Sequence, residues 1–226
     1  MSRRALSLFP FVFVFLFSTS VFGQVYKYSG WQKGPWEKYE SKDRMTMYLN
    51  DEVESGIEGI RIDTVIDLAV EHVFPIIVDA KRAASYSFVR EFKILKKNKD
   101  GTGYLYQRLR ASGVDDRDFT VYMRQLIPKV KGKGSYGWLW TQANDKGPKP
   151  KEGVVRAKIV SGSYILTPVG SKGQKTRVSY RLWFDPNTWI PDFIINIKTR
   201  SGAFETVQRL RKDAATKKKK MQNAKK

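Results

Sequence analysis

Cysteine is missing from this 226-residue chain, and histidine occurs once, as His72. The first absence excludes disulfides, thiol nucleophiles, thiolate metal sites and a lipid-modified N-terminal cysteine. The second leaves no pair of imidazoles for a metal centre or a proton relay. Acidic residues are scarce as well: 22 Asp and Glu stand against 42 Lys and Arg, a net charge of +20. Such an excess suits an anionic partner, a membrane surface or a nucleic acid, and says nothing about fold. There is no G-x-S-x-G, no metal-ligand spacing and no glycine-rich phosphate loop opening a helix. The chain therefore reads as a binding protein that needs no cofactor or metal, and not as an enzyme.

Long hydrophobic runs are also lacking. The longest, Ala5 to Phe17, is interrupted by Pro10 and falls short of the roughly 20 apolar residues that a membrane-spanning helix requires. It follows Arg3 and Arg4 and precedes Val21-Phe22-Gly23, so residues 1–23 read as a signal peptide cut after Gly23. Export makes nucleic acid a poor partner and an anionic membrane surface a good one. The periplasm is the expected location, with secretion second, and a chain without cysteine is at ease in an oxidising compartment.

What remains is a succession of short alternating segments. Trp36–Tyr39 and Met45–Leu49 read as a hairpin across Ser41-Lys42-Asp43, and Ile60, Ile62, Thr64 and Ile66 share one strand face. Val70 to Ala84 reads as a helix that Pro75 should kink or delay. Strands follow over Phe88–Lys97, Gly103–Ala111, Arg117–Ile127, Gly134–Ala143, Gly153–Pro168 and Gln174–Phe184, separated by turn residues. Trp189 to Arg211 then repeats Ile190, Ile194, Ile197, Phe204, Val207 and Leu210 at helical steps. Hairpin-linked strands imply an antiparallel sheet, and two helices imply an α+β plan with both packed on one side of it. A single domain over residues 24–213 results. Residues 214–226, AATKKKKMQNAKK, have no apolar period and read as a disordered basic tail.

Three strands present oily faces: Phe119, Val121 and Met123; then Tyr136, Trp138 and Trp140; then Val178, Tyr180, Leu182 and Phe184. Core packing asks for the same residues one by one. Taken together with a closing helix, they suggest a cavity with apolar walls, in which each buried methylene of a guest contributes about 0.8 kcal/mol.

Several short words of the chain occur in a telling order. Arg117-Asp118-Phe119 comes first, then Val155-Arg156-Ala157, a strand ending Thr167-Pro168, and Thr176-x-Val178-x-Tyr180. Asp185-Pro186, Trp189-Ile190-Pro191 and a helix ending Leu210-Arg211 complete the series. From Trp31 to Arg211 the chain resembles the START (steroidogenic acute regulatory protein-related lipid transfer) domain family. The resemblance implies a helix-grip fold, in which a curved antiparallel sheet wraps a long C-terminal helix around a hydrophobic cavity. It also implies one bound phospholipid or sterol-like ligand, carried by a monomer. Candidate lining residues are Phe119, Val121, Met123, Trp138, Trp140, Tyr180 and Leu182 from strands, and Ile194, Ile197, Phe204 and Val207 from the last helix.

In some sterol-binding members of that family a buried carboxylate–guanidinium pair meets the ligand. The stretch Val89-Arg90-Glu91-Phe92-Lys93 makes Glu91 the implied acid, the alternative being a solvated strand residue. The implied arginine position holds Met123, and Arg124 one step on should face the other way. An enzyme reading, cyclase- or hydrolase-like, would require Glu91 with Tyr122 or Arg124 inside the cavity; a lipid sensor that transfers nothing is a further alternative. The basic tail, residues 214–226, offers Lys217, Lys218, Lys219 and Lys220 to an anionic membrane, alongside the loops of Lys129, Lys131 and Lys133 and of Lys146, Lys149 and Lys151.

Overall fold

Alternation of apolar and polar residues folds the chain into one highly connected sheet, as the computed structural model of residues 34–51, 56–110, 113–130 and 133–224 shows. Its strands are β1 (Glu37–Lys42), β2 (Met45–Asn50), β3 (Gly59–Ile66), β4 (Val89–Lys97) and β5 (Thr102–Leu109). They continue as β6 (Asp116–Leu126), β7 (Tyr136–Gln142), β8 (Val154–Arg156), β9 (Ile159–Val169) and β10 (Lys175–Asp185). The order is β1-β2-β3-β10-β9-β7-β6-β5-β4, antiparallel at each step, with β8 lying parallel to β6. The expected signal peptide and Lys131 lie outside the described residues.

Two pieces of the sheet, separated in sequence, join where β3 meets β10, with Ile62 opposite Tyr180 and Thr64 opposite Val178. Asp43 and Arg44 turn β1 into β2 with positive φ at both residues, the backbone a two-residue hairpin needs to match strand twist. The expected strand Gly153–Pro168 is divided: at Lys158 the backbone N–H donates to the Asp185 carbonyl, 3.0 Å away, and β8 departs to pair with β6.

The helices differ from expectation at their ends. The segment from Val70 to Ala84 forms two helices, α1 (Val70–Ile77) and α2 (Ala80–Ala84). Pro75 is accommodated inside α1, and the break comes at Asp79, whose carboxylate accepts the Lys81 and Arg82 N–H groups at 2.9 and 3.3 Å. Aspartate at a helix start satisfies donors that have no intrahelical partner, so a new helix begins there.

The last helix, α3, runs from Asp192 to Asn223. It begins after Trp189, and it does not stop at Arg211. The expectation of a disordered segment from Ala214 is thus corrected. Alanine and lysine are both good helix formers, the helix is already nucleated upstream, and Ala214 is fully buried with Met221 packed on the core.

The main core lies between α1, α3 and the concave face of β2, β3, β9 and β10. Ala203, Val207, Leu210 and Ala214 are at most 1% exposed, and they share a cluster with Ile60, Ile62, Val73 and Tyr180. Steps of four, three and four residues put them on one face of α3. Leu210→Ala should cost about 2–5 kcal/mol, whereas Ile197→Ala, at a residue 55% exposed, should stay within about 0.5 kcal/mol. Urea denaturation of the two variants measures both.

Candidate functional site

Under α3 the concave face is walled by aromatic rings. Trp138 and Trp140 come from β7, Tyr164 from β9 and Tyr180 from β10, side by side because Trp138 pairs with Tyr164 and Tyr164 with Tyr180 in the register. Trp138 stacks on Tyr164 at 6.4 Å between centroids, Tyr164 meets Tyr180 at 4.7 Å, and Trp140 meets Tyr180 at 6.2 Å. Gly162 makes room for this: a Cβ there would stand 2.3 Å from the Trp140 ring. Burial raises the Tyr164 phenol well above its ordinary pKa, helped by Tyr180 and Tyr86, and burial likewise raises Tyr180. Both are neutral hydroxyls at any physiological pH. The Trp138 indole N–H is buried with no hydrogen-bond partner among the described residues.

A second apolar cluster continues this wall towards the β4 edge. Phe119, Val121 and Met123 of β6 join Leu105, Ala157 and Val160, while Phe92, Trp138, Trp140 and Phe184 pack against them. The two tryptophans also touch the main core, so they bridge the two clusters. The sequence candidates therefore divide. Phe119, Val121, Met123, Trp138, Trp140, Tyr180, Leu182, Phe204 and Val207 all belong to the continuous apolar interior or pack against it. Ile194 and Ile197 do not, being 37% and 55% exposed beside Phe193 at 65%. Helical phase explains the difference: the face that buries Ala203 and Val207 is not the one that carries Ile197.

Glu91 is placed on the opposite side of the sheet. It pairs in register with Arg108, whereas the next residue, Phe92, points into the second cluster. Its carboxylate meets the Lys93 ammonium at 2.5 Å and Arg108 at 3.9 Å. The Lys93 hydrogen bond, against some desolvation, holds its pKa below the usual carboxylate value. Tyr122 and Arg124 share β6 with Met123 and alternate with it; the Tyr122 ring lies 5.5 Å from Tyr104. The polar pair that an enzyme reading requires is not inside. The carboxylate–guanidinium pair implied by the resemblance is absent there too, since Met123 lies in the interior.

The sequence words instead build a corner of the scaffold. Arg156 of the Val-Arg-Ala word clasps Asp118 of the Arg-Asp-Phe word through two bonds, Nε at 2.6 Å and Nη2 at 3.1 Å. The Tyr106 hydroxyl donates to the same carboxylate at 3.1 Å; burial and the Asp118 charge push its pKa up to about 12. Arg117 donates to the carbonyl of Pro186, from the Asp-Pro word, at 3.2 Å. Asp118 is 2% exposed. These contacts, between residues 12, 38 and 69 positions apart, were not readable from spacing.

α3 is fastened by polar clamps at two points along its length. Near its start, Arg200 pairs with Glu58, with Nε at 2.7 Å, and the Asn196 amide bridges Gly56 and Glu58. Further along, Arg82 of α2 reaches Asp213 at 2.6 Å, and Arg209 donates to Ser85 at 2.7 Å. The Tyr86 ring lies between these two arginines, 5.5 Å from Arg82 and 4.2 Å from Arg209. Burial works against the Arg82 charge, but its bond to Asp213 and nearby tyrosines outweigh it and raise its pKa. Two open grooves flank this part of α3. One, about 650 Å³, is bordered by Ile76, Arg82, Arg209, Asp213 and Lys217. The other, about 280 Å³, is bordered by Arg44, Asp67, Arg211, Lys218 and Lys219.

A curved antiparallel sheet gripping a long C-terminal helix over an apolar interior defines the helix-grip class. The START domain model matches residues 24–220. This chain belongs to the START domain family. It is 26% identical over 183 residues to the human mitochondrial steroidogenic acute regulatory protein, a match covering 78% of this chain and 62% of that protein's length. Among solved structures it is similar to human StAR-related lipid transfer protein 5, with a TM-score of 0.73 and 14% identity over 86% of this chain and 94% of the other. A STAR-related lipid transfer protein from Xanthomonas axonopodis gives a TM-score of 0.69 and 20% identity over 80% of this chain and 99% of the other.

If the Asp118–Arg156 clasp is scaffold, Asp118→Asn should lower folding stability by about 3 kcal/mol, because it leaves a largely buried guanidinium uncompensated. Chemical denaturation reads the loss, and the bound-ligand content of the folded fraction should not change.

Proposed function

We propose that this protein holds one hydrophobic molecule, a phospholipid or sterol-like lipid, between α3 and the aromatic wall, and moves it between membranes without bond chemistry. The observation that carries this reading is the contrast between the two halves of α3. Its Ala203–Ala214 face is sealed on the core, while Phe193, Ile194 and Ile197 in its first turns stay open to solvent next to Trp189, 85% exposed. Apolar side chains left uncovered at the start of a closing helix mark where that helix meets something oily. The relatives named as lipid transfer proteins support the same reading.

The rings of the wall touch one another, so a guest gains its place by displacement. α3 lifts, ring-on-ring contacts give way to ring-on-lipid contacts, and the Trp138 N–H acquires an acceptor on the ligand. Each methylene withdrawn from water contributes about 0.8 kcal/mol, which lets an acyl chain offset the apolar area uncovered as the helix moves. The protein works as an exported monomer, most naturally in the periplasm, and its lysines hold it near anionic lipid while the ligand exchanges.

Native mass spectrometry of the purified protein, with solvent extraction of whatever it carries, should give one lipid per chain. Incubation with fluorescent-lipid donor vesicles and unlabelled acceptors should then show transfer. A protein that emerges bare and takes up nothing from vesicles would overturn the carrier reading. One that binds lipid without moving it between vesicles would be a sensor.

A further inference from the structure

Antiparallel register brings a set of distant turns to one end of the sheet. Met45 lies opposite Thr64, Ile66 opposite Thr176, Leu166 opposite Tyr136, and Arg124 opposite Thr102. The β1–β2, β4–β5, β6–β7 and β9–β10 turns are therefore neighbours at that end. α3 delivers its last turns to the same place: Arg211 donates to the Asp43 carbonyl, and Lys218 and Lys219 border a groove with Arg44 and Asp67.

Lysines that are remote in sequence meet there. Lys99, Lys129, Lys133, Lys172 and Lys175 are exposed on the turns, and Lys219 and Lys220 on the helix end. Of the nearby carboxylates, Asp43 stays exposed on the β1–β2 turn, and two others are engaged. Asp67 is shared between Arg44 at 3.4 Å and Lys175 at 3.3 Å, and Asp100 accepts the Thr102 N–H and hydroxyl within its own turn. The opposite end of the sheet carries Asp115, Asp116, Asp145, Asp185 and Asp192 alongside Lys146, Lys149, Lys151 and Lys158, so acids and bases are mixed there. Unbalanced positive charge is concentrated where α3 ends.

Charge alone does not identify the partner, but the β6–β7 turn adds a second feature. Ile127 and Val130 are 62% and 56% exposed, interleaved with Lys129 and Lys133. Apolar side chains set among lysines suit the bilayer interface, which offers acyl chains beneath phosphates; a soluble polyanion offers only the charge. A separate exposed apolar group, Trp189, Phe193 and Ile197, lies at the far end of α3. At about 1.5 Å per residue, Phe193 and Lys219 are roughly 39 Å apart.

We infer that the lysine-rich end is a docking surface for an anionic lipid bilayer, distinct from the apolar end where α3 begins. A molecule docked this way holds its apolar end off that bilayer, free to meet a second membrane. The inference stands on the charge and exposure of the turns, and it survives or fails independently of whether a lipid is carried.

Cosedimentation of the full chain with vesicles of phosphatidylglycerol and phosphatidylcholine tests it, with circular dichroism checking that each variant is folded. The protein should bind the anionic vesicles, and salt should release it. Lys129→Gln, Lys133→Gln and Lys172→Gln together should weaken binding about a hundredfold, by loss of attraction at the surface. Ile127→Asn with Val130→Asn should weaken it about tenfold with no change in charge. Trp189→Ala with Phe193→Ala should bind as the parent does, but fail to gather vesicles into clusters in light scattering, which the parent should do. Binding unaffected by the lysine changes would overturn the inference. So would loss of all binding in the Trp189, Phe193 variant, which would put docking at the apolar end. Equal competition by soluble polyphosphate, with the Ile127, Val130 variant unimpaired, would make the partner a polyanion instead of a bilayer.

Discussion

A helix of 32 residues lying along a concave sheet imposes the rest of this architecture. Its buried face must be narrow and small-featured, because Ala203, Val207, Leu210 and Ala214 approach a wall already thick with aromatic rings. A broader stripe of large side chains would hold α3 away from Tyr180 and Ile62. The same geometry rations burial along the helix. Where α3 passes over the main core its apolar groups are sealed, and where it begins, near the Gly56–Glu58 loop, they are not. The hydrophobic effect supplies the attraction; the clamps at Arg200–Glu58 and Arg82–Asp213 fix where along the sheet the helix sits.

Polar groups are thereby separated by task. The Asp118–Arg156–Tyr106 clasp, on the face of β6 opposite Phe119, and the Arg117–Pro186 bond hold β6, β8 and the end of β10 together at one corner. Inside, the polar groups of the aromatic wall are neutral: phenols whose pKa is raised by burial, and an indole N–H. A buried carboxylate or guanidinium in that wall would need a partner to offset its desolvation. A wall of neutral donors asks nothing of a guest beyond an acceptor and a hydrocarbon surface.

Much of the fold was legible along the chain. Alternation in Ile60–Ile66, Phe119–Met123 and Val178–Phe184 located strands and their inner faces, and both helical regions were found from their periods. The limits of elements were less legible. Asp79 divided one expected helix into two by capping the second, which the apolar period of Val70–Ala84 did not reveal. Lys217–Lys220 looked like a solvated tail until Ala214 and Met221 docked. At the site, adjacent residues on β4 decided everything about Glu91: Phe92 took the inner face, so Glu91 took the outer. Ile194 and Ile197 belonged to the correct helix but to a face that rotation turned outward. Tyr164 was missed, although it alternates with Gly162 and Leu166 on the same face of β9.

Composition and order of residues by themselves determined the α+β class, the antiparallel sheet, the apolar faces and the surplus of positive charge, because period and turn chemistry act within a few residues of one another. Which charges meet, which aromatic rings touch, and which half of α3 is sealed were decided only by the tertiary structure. Those outcomes depend on strand register and helix rotation, and both are set by contacts between residues often more than a hundred positions apart, such as Arg82 with Asp213 and Glu58 with Arg200.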